Sequence, residues 1–171
     1  MTTDRLLLRP FSPTDAGDIY RLNADPEVMR YLPKDEVFAE VAAARSFLIR
    51  YREGSAERPY ERWACLRKSD GAWLGWCGLK LQENGETDLG FRFHRRYWGR
   101  GYGSEAARAW VSWGFVTAGL PRIVARTAEG NVSTQRLLTK LGFVRRPEGD
   151  HTEDGIDWWN YDLSREEFLA H

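Results

Sequence analysis

The residues with the clearest chemical potential are Trp98-Gly99-Arg100-Gly101-Tyr102-Gly103-Ser104-Glu105-Ala106-Ala107. A glycine-rich turn runs into a stretch that reads as a helix. It follows an extended-looking segment from Asp88 to His94. The first N–H groups of a helix lack internal partners and sit at the positive end of its dipole. Such a turn holds a phosphate, and glycine lets the backbone approach the anion and adopt positive φ. A nucleoside-triphosphate loop would end in Gly-Lys-Ser/Thr, a triplet that does not occur here. A dinucleotide fingerprint would need Gly or Ala where Ser104 stands. Arg92, His94, Arg95 and Arg96 also make the preceding segment too polar for a buried parallel strand. The basic run from Arg92 to Arg100 reads as an electrostatic collar around the turn.

The rest of the composition excludes several alternatives. The 25 basic and 25 acidic residues balance, so no global field favours nucleic acid or an anionic membrane. No apolar run approaches the ~20 residues that span a bilayer, and the N-terminus lacks a signal pattern. Cys65 and Cys77 have no metal spacing, and both lie in apolar runs. They read as buried free thiols in a cytoplasmic protein, with no metal site. A length of 171 residues fits one domain, 1–171.

The elements that must position this turn follow from local pattern. Arg5 to Arg9 reads as a strand. Ser12-Pro13-Thr14-Asp15 starts a helix that carries Ile19 and Leu22. A second helix is expected from about Glu36 to Arg52, with Val37, Val41, Ala44, Phe47, Leu48 and Tyr51 at helical spacing, then a polar loop from Gly54 through Pro59. Trp63–Arg67, Trp73–Leu81 and Thr87–His94 read as an antiparallel meander with turns at Ser69-Asp70-Gly71 and Asn84-Gly85. A helix from Gly103 to Thr117 follows the glycine turn. Arg122–Thr127 is another strand, and Asn131 caps a helix that ends at Gly142. Phe143–Arg146 and Ile156–Leu163 read as a closing pair around Asp154-Gly155. Ser164 to Glu167 has capping-box spacing. The order predicts an α+β fold with a mixed, mostly antiparallel sheet of about seven strands flanked by helices.

Three stretches together resemble the GNAT N-acetyltransferases. Gly101 and Gly103 fill the small positions of their Gln/Arg-x-x-Gly-x-Gly/Ala loop. Trp98 stands where Gln or Arg is usual, as in the RimJ/RimL-like branch, which acts on ribosomal proteins. Thr3-Asp4-Arg5-Leu6-Leu7-Leu8-Arg9-Pro10-Phe11 is similar to that branch's first strand. Asn131-x-x-Thr134 followed by Leu141-Gly142-Phe143 is similar to its Asn-x-x-Ser…Leu-Gly-Phe segment.

The resemblance implies the acyl-CoA N-acyltransferase fold, with acetyl-CoA as cofactor. An acetyl group would pass to a primary amine by direct attack in a ternary complex. Acetyl-CoA would enter a gap between Thr87–His94 and Arg122–Thr127. Its pantetheine arm would pair with backbone of Phe91, Arg92 and Phe93, and the Phe93 N–H would polarise the acetyl carbonyl. The pyrophosphate would take N–H groups from Trp98, Gly99, Arg100, Gly101, Tyr102, Gly103 and Ser104, with Arg96 and Arg100 adding charge. Asp88 aligns with an acidic position of the family and is a candidate base, with Glu129 as a second. Thr134 matches the family serine that protonates the leaving thiolate, and Tyr161 is the alternative donor. Asn131 would hold the cofactor arm, cap its helix, or both. Tyr31, Trp158 and Trp159 are candidate acceptor walls. The acceptor is a peptide N-terminus or a small amine, and the protein a monomer or homodimer that binds neither nucleic acid nor membrane. The alternative is a CoA-holding sensor of the same fold that has lost catalysis.

Overall fold

One mixed sheet organises the chain, which the computed structural model describes over residues 1–54 and 58–170. In chain order the elements are β1 (Leu6–Pro10), α1 (Ala16–Ala24), α2 (Val41–Glu53), β2 (Arg62–Arg67), β3 (Trp73–Leu81) and β4 (Thr87–Phe93). There follow α3 (Tyr102–Ser112), β5 (Arg122–Ala128), α4 (Val132–Lys140), β6 (Val144–Arg145), β7 (His151–Glu153), β8 (Ile156–Ser164) and α5 (Arg165–Leu169). Their spatial order is β1-β2-β3-β4-β5-β8-β6, with β7 also on β8. The β4–β5 pairing is parallel, and α3 is the crossover that joins them. The other pairings are antiparallel. The α+β expectation holds, with eight strands in place of about seven. The added strand is β7, whose residues are all exposed and so leave no apolar pattern to read.

Two expectations need correction. Phe143–Arg146 does not form the hairpin across Asp154-Gly155. That turn joins β7 to β8, and β6 is cut to two residues paired with Asp162 and Tyr161. The second helix begins at Val41, not near Glu36. Lys34–Glu36 forms a separate 3-10 turn, and Val37 and Val41 are both 46% exposed. The cause is tertiary. The Glu36 carbonyl accepts from Asn23 Nδ2 (2.9 Å) and its carboxylate reaches Arg92, so the segment is drawn onto the sheet. Part of the expected Gly54–Pro59 loop, residues 55–57, lies outside the described residues.

Other local signals act as their chemistry dictates. Ser12 and Asp15 form a capping box ahead of α1, and Ser164 and Glu167 form one at α5. Two cores cover the sheet. Trp110 and Phe115, with Leu138 of α4, pack on one face against Leu6, Leu74, Leu79 and Ile123. Phe11, Ile19, Leu22, Leu48 and Trp73 pack on the other, under α1 and α2. Cys65 and Cys77 are buried and free. Burial pushes both thiols up, Cys77 to about 12, so neither is ionised near neutrality.

Candidate active site

The glycine turn combines left-handed glycines with unpaired N–H groups. Gly99 and Gly101 have φ of +71° and +79°, and Gly101 is the residue that opens α3. Among the described residues, the N–H groups of Gly99 through Ser104 meet no hydrogen-bond acceptor. Trp98 does not join them. Its N–H donates to the Arg95 carbonyl (3.0 Å) in the preceding 3-10 turn, so its expected backbone contact with a phosphate is withdrawn. Its indole instead donates to the Phe93 carbonyl (2.8 Å) and ties the turn to the end of β4. Arg96 and Arg100 are exposed beside the turn.

The N-terminal segment braces this turn from behind. The Arg5 guanidinium donates to the Arg100 carbonyl (3.0 Å), lies 4.5 Å from the Tyr102 ring centre, and pairs with Glu105 (2.6 Å). Partial burial pushes the Glu105 carboxyl up. The Thr3 hydroxyl, the Arg5 N–H and the Arg5 guanidinium outweigh this and hold it below its usual range. A carboxyl depressed in the folded state stabilises fully above its unfolded value, and that stabilisation is lost as pH falls through the folded one. Glu105→Gln is therefore expected to lower the melting temperature at pH 7. The gap to the parent protein should close as pH drops below 4.5, as followed by circular dichroism.

The edge of β4 beside the turn is open. His94 N–H donates to Leu74 O (2.9 Å) at one end of the β3–β4 ladder, and Gln82 N–H to Glu86 O (2.8 Å) at the other. With the register of that ladder, the even-numbered residues of β4 bond to β3. The backbone groups of Leu89, Phe91 and Phe93 therefore face β5. The two strands meet at one register pair, Asp88 with Val124, and leave a gap beyond it. This ladder corrects the expectation for Arg92, whose backbone faces β3 and not the gap. The Phe93 carbonyl is occupied by Trp98, so Phe93 offers its N–H.

A cavity of about 640 Å³ continues from that gap to the face covered by α1 and α2. Such a volume suits a small ligand. It brings together Asp88, Phe91, Arg92, Asn131 and Thr134, with Tyr31 and Trp158 among its walls. Asn131 caps α4, its Oδ1 accepting from the Thr134 N–H (3.2 Å). Asp88 uses one oxygen, Oδ2, for Arg62 and for Gln82 (3.3 Å), and Oδ1 has no partner among the described residues. Three expected residues are placed elsewhere. Trp159 and Tyr161 pack against the core on the opposite face of β8, because side chains alternate along a strand. Tyr161 is 5% exposed and does not line the cavity. Glu129 is exposed outside it.

Other residues of the cavity carried no signal by themselves. Arg62 reaches Asp88 across the bare backbone where Gly78 of β3 faces Gly90 of β4. A Cβ on Gly90 would fall 1.4 Å from Arg62 Nη1. Glycines at matched positions of adjacent strands were the available hint. Trp76, Asn23 and Glu36 complete this floor and its edge.

The open N–H groups at 99–104 and the unpaired β4 edge fit the phosphates and the amide arm of a CoA ester. The comparisons with known proteins agree. The acetyltransferase (GNAT) domain family matches residues 5–144. The chain is 32% identical over 145 residues to an uncharacterized N-acetyltransferase, p20, of Bacillus licheniformis, covering 84% of this chain and 81% of that one. A GNAT-family acetyltransferase from Bacillus anthracis has a TM-score of 0.82 at 25% identity, with 97% and 98% of the two chains covered. Spermidine N-acetyltransferase from Vibrio cholerae, solved with CoA and spermine, has the same fold, with a TM-score of 0.79, 16% identity and coverage of 98% and 99%. The match runs through the first strand, the glycine turn and α4, and on that ground the chain belongs to the GNAT family of N-acetyltransferases, enzymes whose acetyl donor is acetyl-CoA.

Proposed function

We propose that this chain transfers an acetyl group to a primary amine, on a peptide N-terminus or a small molecule, by direct attack in a ternary complex. The carrying observation is that one cavity joins the open β4 edge to Asp88, Asn131 and Thr134. Bound acetyl-CoA supplies an activated thioester carbonyl. The N–H groups of Gly99 to Ser104 would hold its pyrophosphate, and the backbone of Phe91 its amide arm. The Phe93 N–H is the donor for the acetyl oxygen, where negative charge develops.

Asp88 serves as the base, directly or through water. Arg62 and Gln82 anchor one of its oxygens and leave the other open to an ammonium proton. An α-amine needs less help than a lysine, since their reference pKa values are about 7.7–8.0 and 10.4. Thr134 holds the proton for the departing thiolate. Trp98 in the loop and the Asn131 to Phe143 segment favour the RimJ/RimL-like branch. Two reduced, buried cysteines fit a cytoplasmic protein, acting as a monomer or homodimer. Free thiol release is the test. Adding amines to enzyme and acetyl-CoA is expected to release thiol with at least one acceptor class. CoA binding without release across N-terminal peptides and small amines would leave a CoA-holding module instead.

A further inference from the structure

The cavity has a cationic floor and an acidic rim. Arg62, Lys80, Arg92 and Arg126 come from four neighbouring strands, β2 through β5. Among the described lining residues, only one acid, Asp88, lies on those strands. Asp35 and Glu36 sit on the segment between α1 and α2, and Glu153 on β7, all exposed. Arg62 is matched by buried Asp88, and Arg126 by Glu86.

Arg92, the one buried residue of these four, is only partly matched. It is 7% exposed, and Trp76 lies beneath it at 5.3 Å and beneath Arg62 at 5.2 Å. Its Nη1 donates to Asn23 Oδ1 (2.9 Å) and its Nη2 to Glu36 Oε2 (2.5 Å). Its Nε is buried with no acceptor among the described residues. Arg67 shows the same edge when it is filled, with Nε on Asp70 Oδ1 (2.9 Å) and Nη2 on Asp70 Oδ2 (2.6 Å). On Arg92 half of that edge is used, and by a carboxylate that is itself 45% exposed. Burial destabilises the charged guanidinium, and Glu36 offsets this only in part.

We infer that the acceptor amine carries a carboxylate, which takes the Nε–Nη2 edge of Arg92 in place of Glu36. The inference rests on the transfer reading above for treating this cavity as the acceptor's seat. A planar carboxylate fills both donors of the edge, the geometry that makes such pairs strong. Glu36 returns to water on leaving, so its release costs little desolvation. Arg92 lies between Phe91 and Phe93, so its ligand is anchored to the stretch of strand that faces the cofactor gap. A polyamine would instead bring several positive charges onto four basic side chains.

Matched probes that differ by one carboxylate test this. They are L-phenylalanine with phenylethylamine, L-lysine with cadaverine, and L-arginine with agmatine, with spermidine as the polycation. Each is titrated calorimetrically into the CoA-saturated protein. In at least one pair the carboxylate member is expected to bind about tenfold tighter or better, the worth of a hydrogen-bonded charge. Glu36→Gln is expected to tighten that member several-fold and leave its partner unchanged. Arg92→Gln is expected to erase the preference. The buried Arg92 variant can fail to fold, so the exposed Glu36 carries the test independently. No preference for a carboxylate in any pair, tightest binding by spermidine, or unchanged affinities in Glu36→Gln would each overturn the inference. Because binding is read without turnover, a failure of acetyl transfer is distinguished from a failure of the carboxylate seat. Thiol release with carboxylate-free amines alone overturns it and keeps the transferase.

Discussion

Titrating the Gly101→Val protein with CoA is expected to show no binding in the range where the parent saturates, a loss of at least ~100-fold. Gly101 has φ of +79°, which costs an L-residue about 1–2 kcal/mol and a β-branched one more. Its Cβ would also lie 3.3 Å from Nη2 of Arg5, whose Nη1 holds the turn through the Arg100 carbonyl. Relieving either would require the turn to move its unpaired N–H groups. Two lost bonds to a charged pyrophosphate, at about 1.5–3 kcal/mol each, exceed two powers of ten. Gly119→Val is the control. Gly119 has φ of +66° beyond the C-terminal end of the helical stretch that Gly101 opens, with nothing near its Cβ position, so it carries the same backbone strain away from the glycine turn. It should lower stability and leave CoA affinity intact. Undiminished CoA binding by Gly101→Val would mean that these N–H groups are not the anion seat.

Thr134→Ala is expected to lower kcat by about 100-fold, the lower range for loss of a positioned acid, without changing the Kd for CoA. The local fold should survive. The α4 cap uses the Thr134 backbone N–H and the Asn131 side chain, and the hydroxyl takes no part in it. Thr134→Ser, which keeps the hydroxyl, should retain most of the turnover. Rapid-mix thiol release separates the chemical step from product departure. An unchanged kcat in Thr134→Ala would assign protonation of the thiolate to water. Tyr161 is poorly placed to take over, since it packs on the far face of β8 and burial pushes its hydroxyl up.

The anion turn was legible because its signal is local. Glycine at positive φ, followed by a helix, is written within ten residues and depends on backbone geometry alone. The caps at Ser12, Asn131 and Ser164 were legible for the same reason. The acceptor side was less so. Trp158 and Trp159 are neighbours of equal type, and only the phase of β8 decides that the first lines the cavity and the second the core. The second helix is shorter than its apolar spacing predicts, because Glu36 obeys Arg92, a residue distant in sequence and near in space.

The sequence by itself determined the class of chemistry and the glycine turn with its unpaired N–H groups. Turns, caps and alternating strands arise from interactions a few residues apart, and these survive without knowledge of the rest of the fold. Only the tertiary structure decided which charges meet in the cavity. Asp88 finds Arg62 across β3, and Arg92 finds Asn23 and Glu36 across the face covered by α1. It also decided that the Trp98 N–H is spent inside its own turn, while its indole closes the Phe93 carbonyl. Partners chosen by sheet register and helix docking have no fixed spacing along the chain. No motif along the chain therefore distinguishes one acceptor from another.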